Sequence, residues 1–138
     1  MPRGSVRREV RIDRPAAEVW ALVGNAVRLP EWFPGIVDAT VEGTTRVITM
    51  RSGLPLPEEI LTCDPLLRRF QYRIAAGIVK EHLSTIDVLE IGPAACLVVY
   101  SCDADPATMA LVIGGAAGNA LEHLRDLMEG NVAMEGQN

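Results

Sequence analysis

The sequence predicts an α+β protein: a seven-stranded antiparallel sheet with one long helix laid across a face. Three observations lead there. Between Ile36 and Asp105, apolar and β-branched runs alternate with turn residues at roughly ten-residue spacing, as an antiparallel meander requires. After Pro106 the pattern switches to a helical period and keeps it through Met128. The order of elements (a strand, two short helices, six strands, a long helix) leaves a single helix long enough to cover the sheet. From Ala107 to Met128 that helix is about 33 Å long, at ~1.5 Å per residue.

The first strand is "SVRREVRID" (Ser5 to Asp13), marked by Val6, Val10 and Ile12. Asp13 is then placed to cap "RPAAEVWALV", with Pro15 in the first turn and Glu18 near the positive helix end. Gly24-Asn25 stops this helix, and a second helical turn around Leu29 to Phe33 is stopped by Pro34-Gly35. "IVDATVEG" and "TRVITMRSG" flank a hairpin turn at Gly43-Thr44. "LPEEILTCD", "LRRFQYRIA", "VKEHLSTIDVLEIG" and "ACLVVYSCDAD" follow as strands. The final helix holds Gly114, Gly115 and Gly118, each costing about 1 kcal/mol relative to Ala. One domain spanning 1–138 is expected, with its core between residues 5 and 128 and a flexible tail at 130–138.

Composition narrows the function classes. Half of the 138 residues are hydrophobic and 4% are aromatic, so aliphatic side chains must build the core. The net charge of −5 and the lack of a basic stripe argue against nucleic acid as a partner. The charged start "MPRGSVRREV" does not read as a signal peptide. No apolar run approaches the ~20 residues of a membrane span. Cys63, Cys96 and Cys102 form neither a disulfide framework nor a zinc motif, and read as small, buried, reduced cysteines of a cytoplasmic protein. No G-x-S-x-G, H-E-x-x-H, phosphate loop or dinucleotide fingerprint is present, and no cofactor or metal is expected.

The motifs Asp13-Arg14-Pro15 with Glu18-Val19-Trp20, Leu29-Pro30-Glu31-Trp32 and Pro34-Gly35 stand in this order. Arg46, Glu59 before Asp64-Pro65, and Phe70-x-Tyr72-Arg73-Ile74 follow. Over residues 5 to 128 the chain resembles the START-like, or Bet v 1-like (SRPBCC), superfamily. Within it the chain is similar to the bacterial polyketide cyclase/dehydrase and lipid-transport group. The resemblance implies a helix-grip fold, with a curved sheet around the last helix and a hydrophobic cavity between them. For function it is unspecific, because one scaffold carries binders, enzymes and interaction modules.

Helical spacing puts Met109, Ile113, Ala116, Ala117, Ala120, Leu124, Leu127 and Met128 on one face, taken as the inner one. Small residues in its middle leave either a gap or a tight contact. Gly115 and Gly118 point outward and Gly114 lies at the flank. Strand alternation makes inward sets of Arg46, Ile48, Met50; Glu59, Leu61, Cys63; Phe70, Tyr72, Ile74; His82, Ser84, Ile86, Val88; and Cys96, Val98, Tyr100, Cys102. A buried charge needs a partner, so Arg46 is expected to pair with Glu59. Trp32, Met50, Glu59, Tyr72, His82, Tyr100, Met109, Ile113, Ala116, Ala117 and Ala120 are the candidate ligand contacts. His82, Glu59, Arg46 and Tyr100 are the candidates for catalysis. For His82 an interior hydrogen-bonded role is preferred to a general base, since no acid stands at a motif spacing to orient it. For Trp32 core packing and entrance framing are preferred to ligand stacking.

The expected function is non-covalent binding of a small hydrophobic molecule such as a lipid, polyketide or related natural product. The alternatives are a cyclase/aromatase-type enzyme acting on such a molecule and a protein-interaction module using the outer helix face at Leu111, Gly115 and Gly118. A homodimer stays open.

Overall fold

A computed structural model describes residues 3–130. The elements are β1 (Gly4–Ile12), α1 (Ala16–Val23), a 3-10 turn (Ala26–Arg28), α2 (Leu29–Trp32), β2 (Ile36–Glu42), β3 (Thr45–Met50), β4 (Pro55–Asp64), β5 (Arg69–Ile74), β6 (Glu81–Gly92), β7 (Ala95–Asp105) and α3 (Ala107–Met128). The seven strands form one antiparallel sheet in the order β1-β7-β6-β5-β4-β3-β2. This is the helix-grip α+β architecture. The tail expected at 130–138 lies, beyond Gly130, outside the described residues.

The inner faces of β5, β6 and β7 follow strict alternation. Phe70, Tyr72, Ile86, Val88, Cys96, Val98 and Tyr100 are all buried in the main core with Val19, Leu22 and Trp32. The β2–β3 hairpin turns at Gly43, whose φ of 62° suits a residue without a Cβ. Asp13 is not the helix cap expected of it. Pro15 holds the N-cap position of α1 and no side chain caps the turn. Asp13 stands two residues too early, and its backbone N–H instead donates to Glu129 Oε2 at 2.8 Å, tying the start of α1 to the end of α3. Cys96 and Cys102 are buried as expected, but Cys63 is exposed.

Two expectations about faces are corrected. The first concerns β4. Its register with β5 slips between Ile60 and Thr62, so Leu61 is an extra residue. Before the slip Glu58 lies opposite Ile74, and after it Cys63 lies opposite Phe70. A bulge therefore puts Glu58 and Cys63 on the same face, which unbroken alternation forbids. Glu59, projected inward by counting back from Cys63, faces outward and accepts a hydrogen bond from Thr44 Oγ1 at 2.6 Å.

The second concerns α3. Its buried residues are Ala110, Gly114, Ala117, Ala120, Leu121 and Leu124. The packed line thus runs about one residue round from the expected one. The helix lies against β1 and β7 through its smallest side chains. A Cβ on Gly114 would stand 2.6 Å from Val6 Cγ1, and one on Gly4 would stand 2.9 Å from Ala110 Cβ. Gly114 is therefore in the seam, not at the flank. Ala117 and Ala120 are sealed in the core, so the middle of the helix packs tightly rather than leaving a gap.

Candidate functional site

Because α3 is drawn onto β1 and β7, the other half of the sheet stands away from it. An apolar cleft of about 180 Å³ opens there. Met109, Val112, Ile113 and Ala116 of α3 form one wall. Ile48 and Met50 of β3, Leu56 and Glu58 of β4, and Tyr72 and Ile74 of β5 form the other. Leu29, Phe33 and Ile36 close one end, and Ile78 from the β5–β6 connection stands at the rim. Larger surface grooves, of about 380 Å³ beside Arg8 and Glu122 and about 440 Å³ beside Lys80 and His82, have mainly polar walls. The cleft is where an apolar ligand gains most from leaving water.

Its polar corner is a buried ion pair. Arg46 and Glu58 lie directly opposite on β3 and β4. Arg46 Nε donates to Glu58 Oε1 at 2.7 Å, and Nη1 donates to the carbonyl of Ala26 at 3.2 Å. Side-chain exposure is 2% for Arg46 and 4% for Glu58. The guanidinium also stands over the rings of Phe70 and Tyr72, at 5.2 and 5.1 Å from their centroids. Burial pushes the Glu58 carboxyl above its ordinary range, and the charge and hydrogen bond of Arg46 oppose that push. Arg46 was expected to pair with Glu59. The partner is the neighbouring glutamate, for the reason of register given above.

Behind the corner runs a hydrogen-bonded chain. The hydroxyls of Tyr72 and Tyr100 bond to each other, and burial raises both phenols above their usual range. His82 Nδ1 accepts from the backbone N–H of Ile74 at 2.8 Å, so the neutral ring carries its proton on Nε2 and donates it to Ser84 Oγ at 2.8 Å. The β5–β6 ladder ends at Tyr72 opposite Ser84, and the imidazole satisfies the next inward-facing residue's N–H in place of a strand carbonyl. Burial lowers the His82 pKa to about 4, against the opposing pull of Asp103. His82 is thus an interior structural side chain on a surface groove, not on the cleft wall.

Of the expected ligand contacts, Met50, Tyr72, Met109, Ile113 and Ala116 lie on the cleft. Trp32 is 1% exposed and packs in the core beside Phe33 and Tyr100. Tyr100, Ala117 and Ala120 are core residues behind the wall, and Glu59 is on the outer face. Sequence reasoning missed Glu58, Leu56, Val112 and the Leu29–Phe33–Ile36 end. For Glu58 the local sequence carries no signal: it stands four residues before Thr62, on the outward parity, and only the bulge brings it inward. Among the described residues no cluster of three or more His, Cys, Asp or Glu side chains is placed to hold a metal ion, and no helix is long and apolar enough to cross a membrane.

A curved antiparallel sheet gripping one long helix, with an apolar cleft beside it, places the protein in the Bet v 1-like (SRPBCC) superfamily. The chain belongs to the polyketide cyclase / dehydrase and lipid transport family, whose model matches residues 3–129. Solved structures agree in fold. A protein of unassigned function from Bacillus thuringiensis is 24% identical, with a TM-score of 0.84 over 91% of this chain and 98% of that one. The di-domain ARO/CYC BexL of the BE-7585A biosynthetic pathway is 20% identical, with a TM-score of 0.78 over 91% of this chain and 46% of BexL. Norcoclaurine synthase from Thalictrum flavum, solved with dopamine and hydroxybenzaldehyde, is 18% identical, with a TM-score of 0.71 over 91% of this chain and 86% of the synthase. No curated protein sequence matches the chain.

Proposed function

We propose that the protein binds a small hydrophobic molecule, non-covalently, in the cleft between α3 and β2 to β5. The observation that carries this reading is a cleft of about 180 Å³ whose walls are apolar apart from Glu58 and Tyr72. Transfer of apolar surface into it is worth roughly 25 cal/mol per Å². The family description, which names polyketides and lipid transport, supports the same ligand class.

The test is native mass spectrometry of freshly purified protein, with extraction and identification of whatever is retained. A cleft-filling variant, Ile113→Trp, should lose the retained mass while keeping its fold. If neither a retained molecule nor binding from a panel of lipids and aromatic natural products is seen, the reading falls.

Cyclase-type turnover is the second reading, and one observation favours it: an ionisable carboxylate, that of Glu58, lines an apolar cleft. Such groups move protons when a substrate carbonyl or hydroxyl reaches them. In that case Glu58, not His82, carries the chemistry. Product formation from poly-β-keto substrates should then collapse in Glu58→Gln and persist in His82→Gln.

A further inference from the structure

We infer that the cleft takes a ring-sized apolar group bearing a hydroxyl, and that Glu58 Oε2 accepts the hydrogen bond from that hydroxyl. This rests on the cleft-binding reading above and names its ligand class. Glu58 Oε1 is committed to Arg46, whereas Oε2 makes no hydrogen bond within the described residues. Oε2 is nevertheless not sealed away. Among the described residues the only buried side-chain polar atom without a partner is Trp32 Nε1. The Glu58 side chain lines the cleft, and Oε2 is the carboxylate oxygen that Arg46 leaves free. The other polar residue on the wall, Tyr72, has its hydroxyl engaged with that of Tyr100 in the core behind it.

The chemistry of the acceptor selects the ligand. A carboxylate held by a guanidinium accepts and cannot donate. An ether, ketone or carboxylate facing Oε2 would put two acceptors together and leave both unpaired. An ammonium group would meet the charge of Arg46, which stands 2.7 Å from Glu58. A neutral hydroxyl answers both constraints. Size selects the rest: an engineered cavity of about 150 Å³ holds one benzene, and this cleft measures about 180 Å³. One ring with its hydroxyl fits inside, and any remainder of the molecule projects past Val112 and Ile78 at the rim.

The experiment is an NMR titration of the wild-type protein with 4-methylphenol, toluene, 4-methylanisole and 4-methylbenzoate, reading the resonances of Met50, Ile113 and Ala116. The phenol should bind at least about tenfold more tightly than its methyl ether, as expected where a buried polar group loses its partner. The benzoate should not bind. In Arg46→Met/Glu58→Leu, which replaces a buried pair by apolar side chains and is often tolerated, the phenol should lose its advantage and toluene should bind at least as well. If that variant does not fold, the wild-type series alone decides. Equal affinity for phenol and ether overturns the inference and leaves the cleft reading standing. No shift at the cleft with any probe overturns both.

Discussion

Replacing Gly114 by Ala isolates the contact that seats α3 on the sheet. Any interior helical Gly→Ala change should stabilise by about 1 kcal/mol from propensity alone. Gly115 gives the reference, since a Cβ there would meet nothing within 4 Å. At Gly114 the added Cβ would stand 2.6 Å from Val6 Cγ1 and 3.0 Å from Val6 Cβ. Ordinary carbon contacts lie near 3.5–4.0 Å, so helix and strand must part by about 1 Å. The Cβ of Val6 is fixed to the backbone of β1, so rotamer change cannot relieve the second contact. Overpacking of this kind costs roughly 1–3 kcal/mol. The two alanine variants should therefore differ by about 1–3 kcal/mol, with Gly115→Ala above wild type and Gly114→Ala level with it or below. Urea unfolding with an unchanged slope measures this. Adding Val6→Ala should recover part of the loss, since it removes the 2.6 Å contact and leaves the 3.0 Å one. Equal stabilisation by the two single variants would refute close approach as the reason for Gly114.

The remaining predictions concern the corner, the chain behind it and the helix. Arg46→Ala should destabilise by about 3–5 kcal/mol, and Arg46→Ala with Glu58→Ala by less, because the single change leaves a buried charge unpaired; a thermodynamic cycle without coupling would separate the two side chains. The folded-state pKa of His82, about 4, lies below its ordinary 6.5, so the unfolded chain binds the extra proton between those values. The stability this gives is full above pH ~6.5 and lost as pH falls to ~4, with a slope of at most about 1.4 kcal/mol per pH unit. His82→Gln should flatten the unfolding midpoint across that window, and an unchanged slope would assign it to other groups. Ala120→Phe should lower stability by roughly 1–3 kcal/mol, since Ala120 is sealed in the core. Ala116→Phe, on the exposed cleft wall, should cost little stability and block ligand entry, as read by melting temperature and ligand retention.

Strand positions were legible because each run ends at a turn residue whose chemistry is local. The parity of β5, β6 and β7 was legible too, since bulky side chains such as Phe70, Ile86 and Val98 mark one face. Parity failed at β4, where apolar Leu61 and Cys63 suggest a phase that the bulge at Leu61 breaks. A bulge depends on partner strands and leaves little mark on its own segment. The seam of α3 was misread for a different reason. Bulk drew the inner face toward Met109 and Ile113, whereas the closest contact is made by Ala110, Gly114 and Ala117, which carry little hydrophobic signal. The cleft follows from that seam, so its position was hidden as well, although Met109 and Ile113 stand on its wall.

The two lines of α3 respond differently to inherited change. Along Ala110, Gly114 and Ala117 nearly every mutation adds atoms where none fit, so this line acts as a fixed hinge pin for the scaffold. Along Met109, Val112, Ile113 and Ala116 the side chains border free space, and a swap of Met for Leu or Ala for Ser reshapes the chamber without disturbing the sheet. A lineage can then reshape the cleft by drifting through four positions of one helix, with its folding insulated from the search.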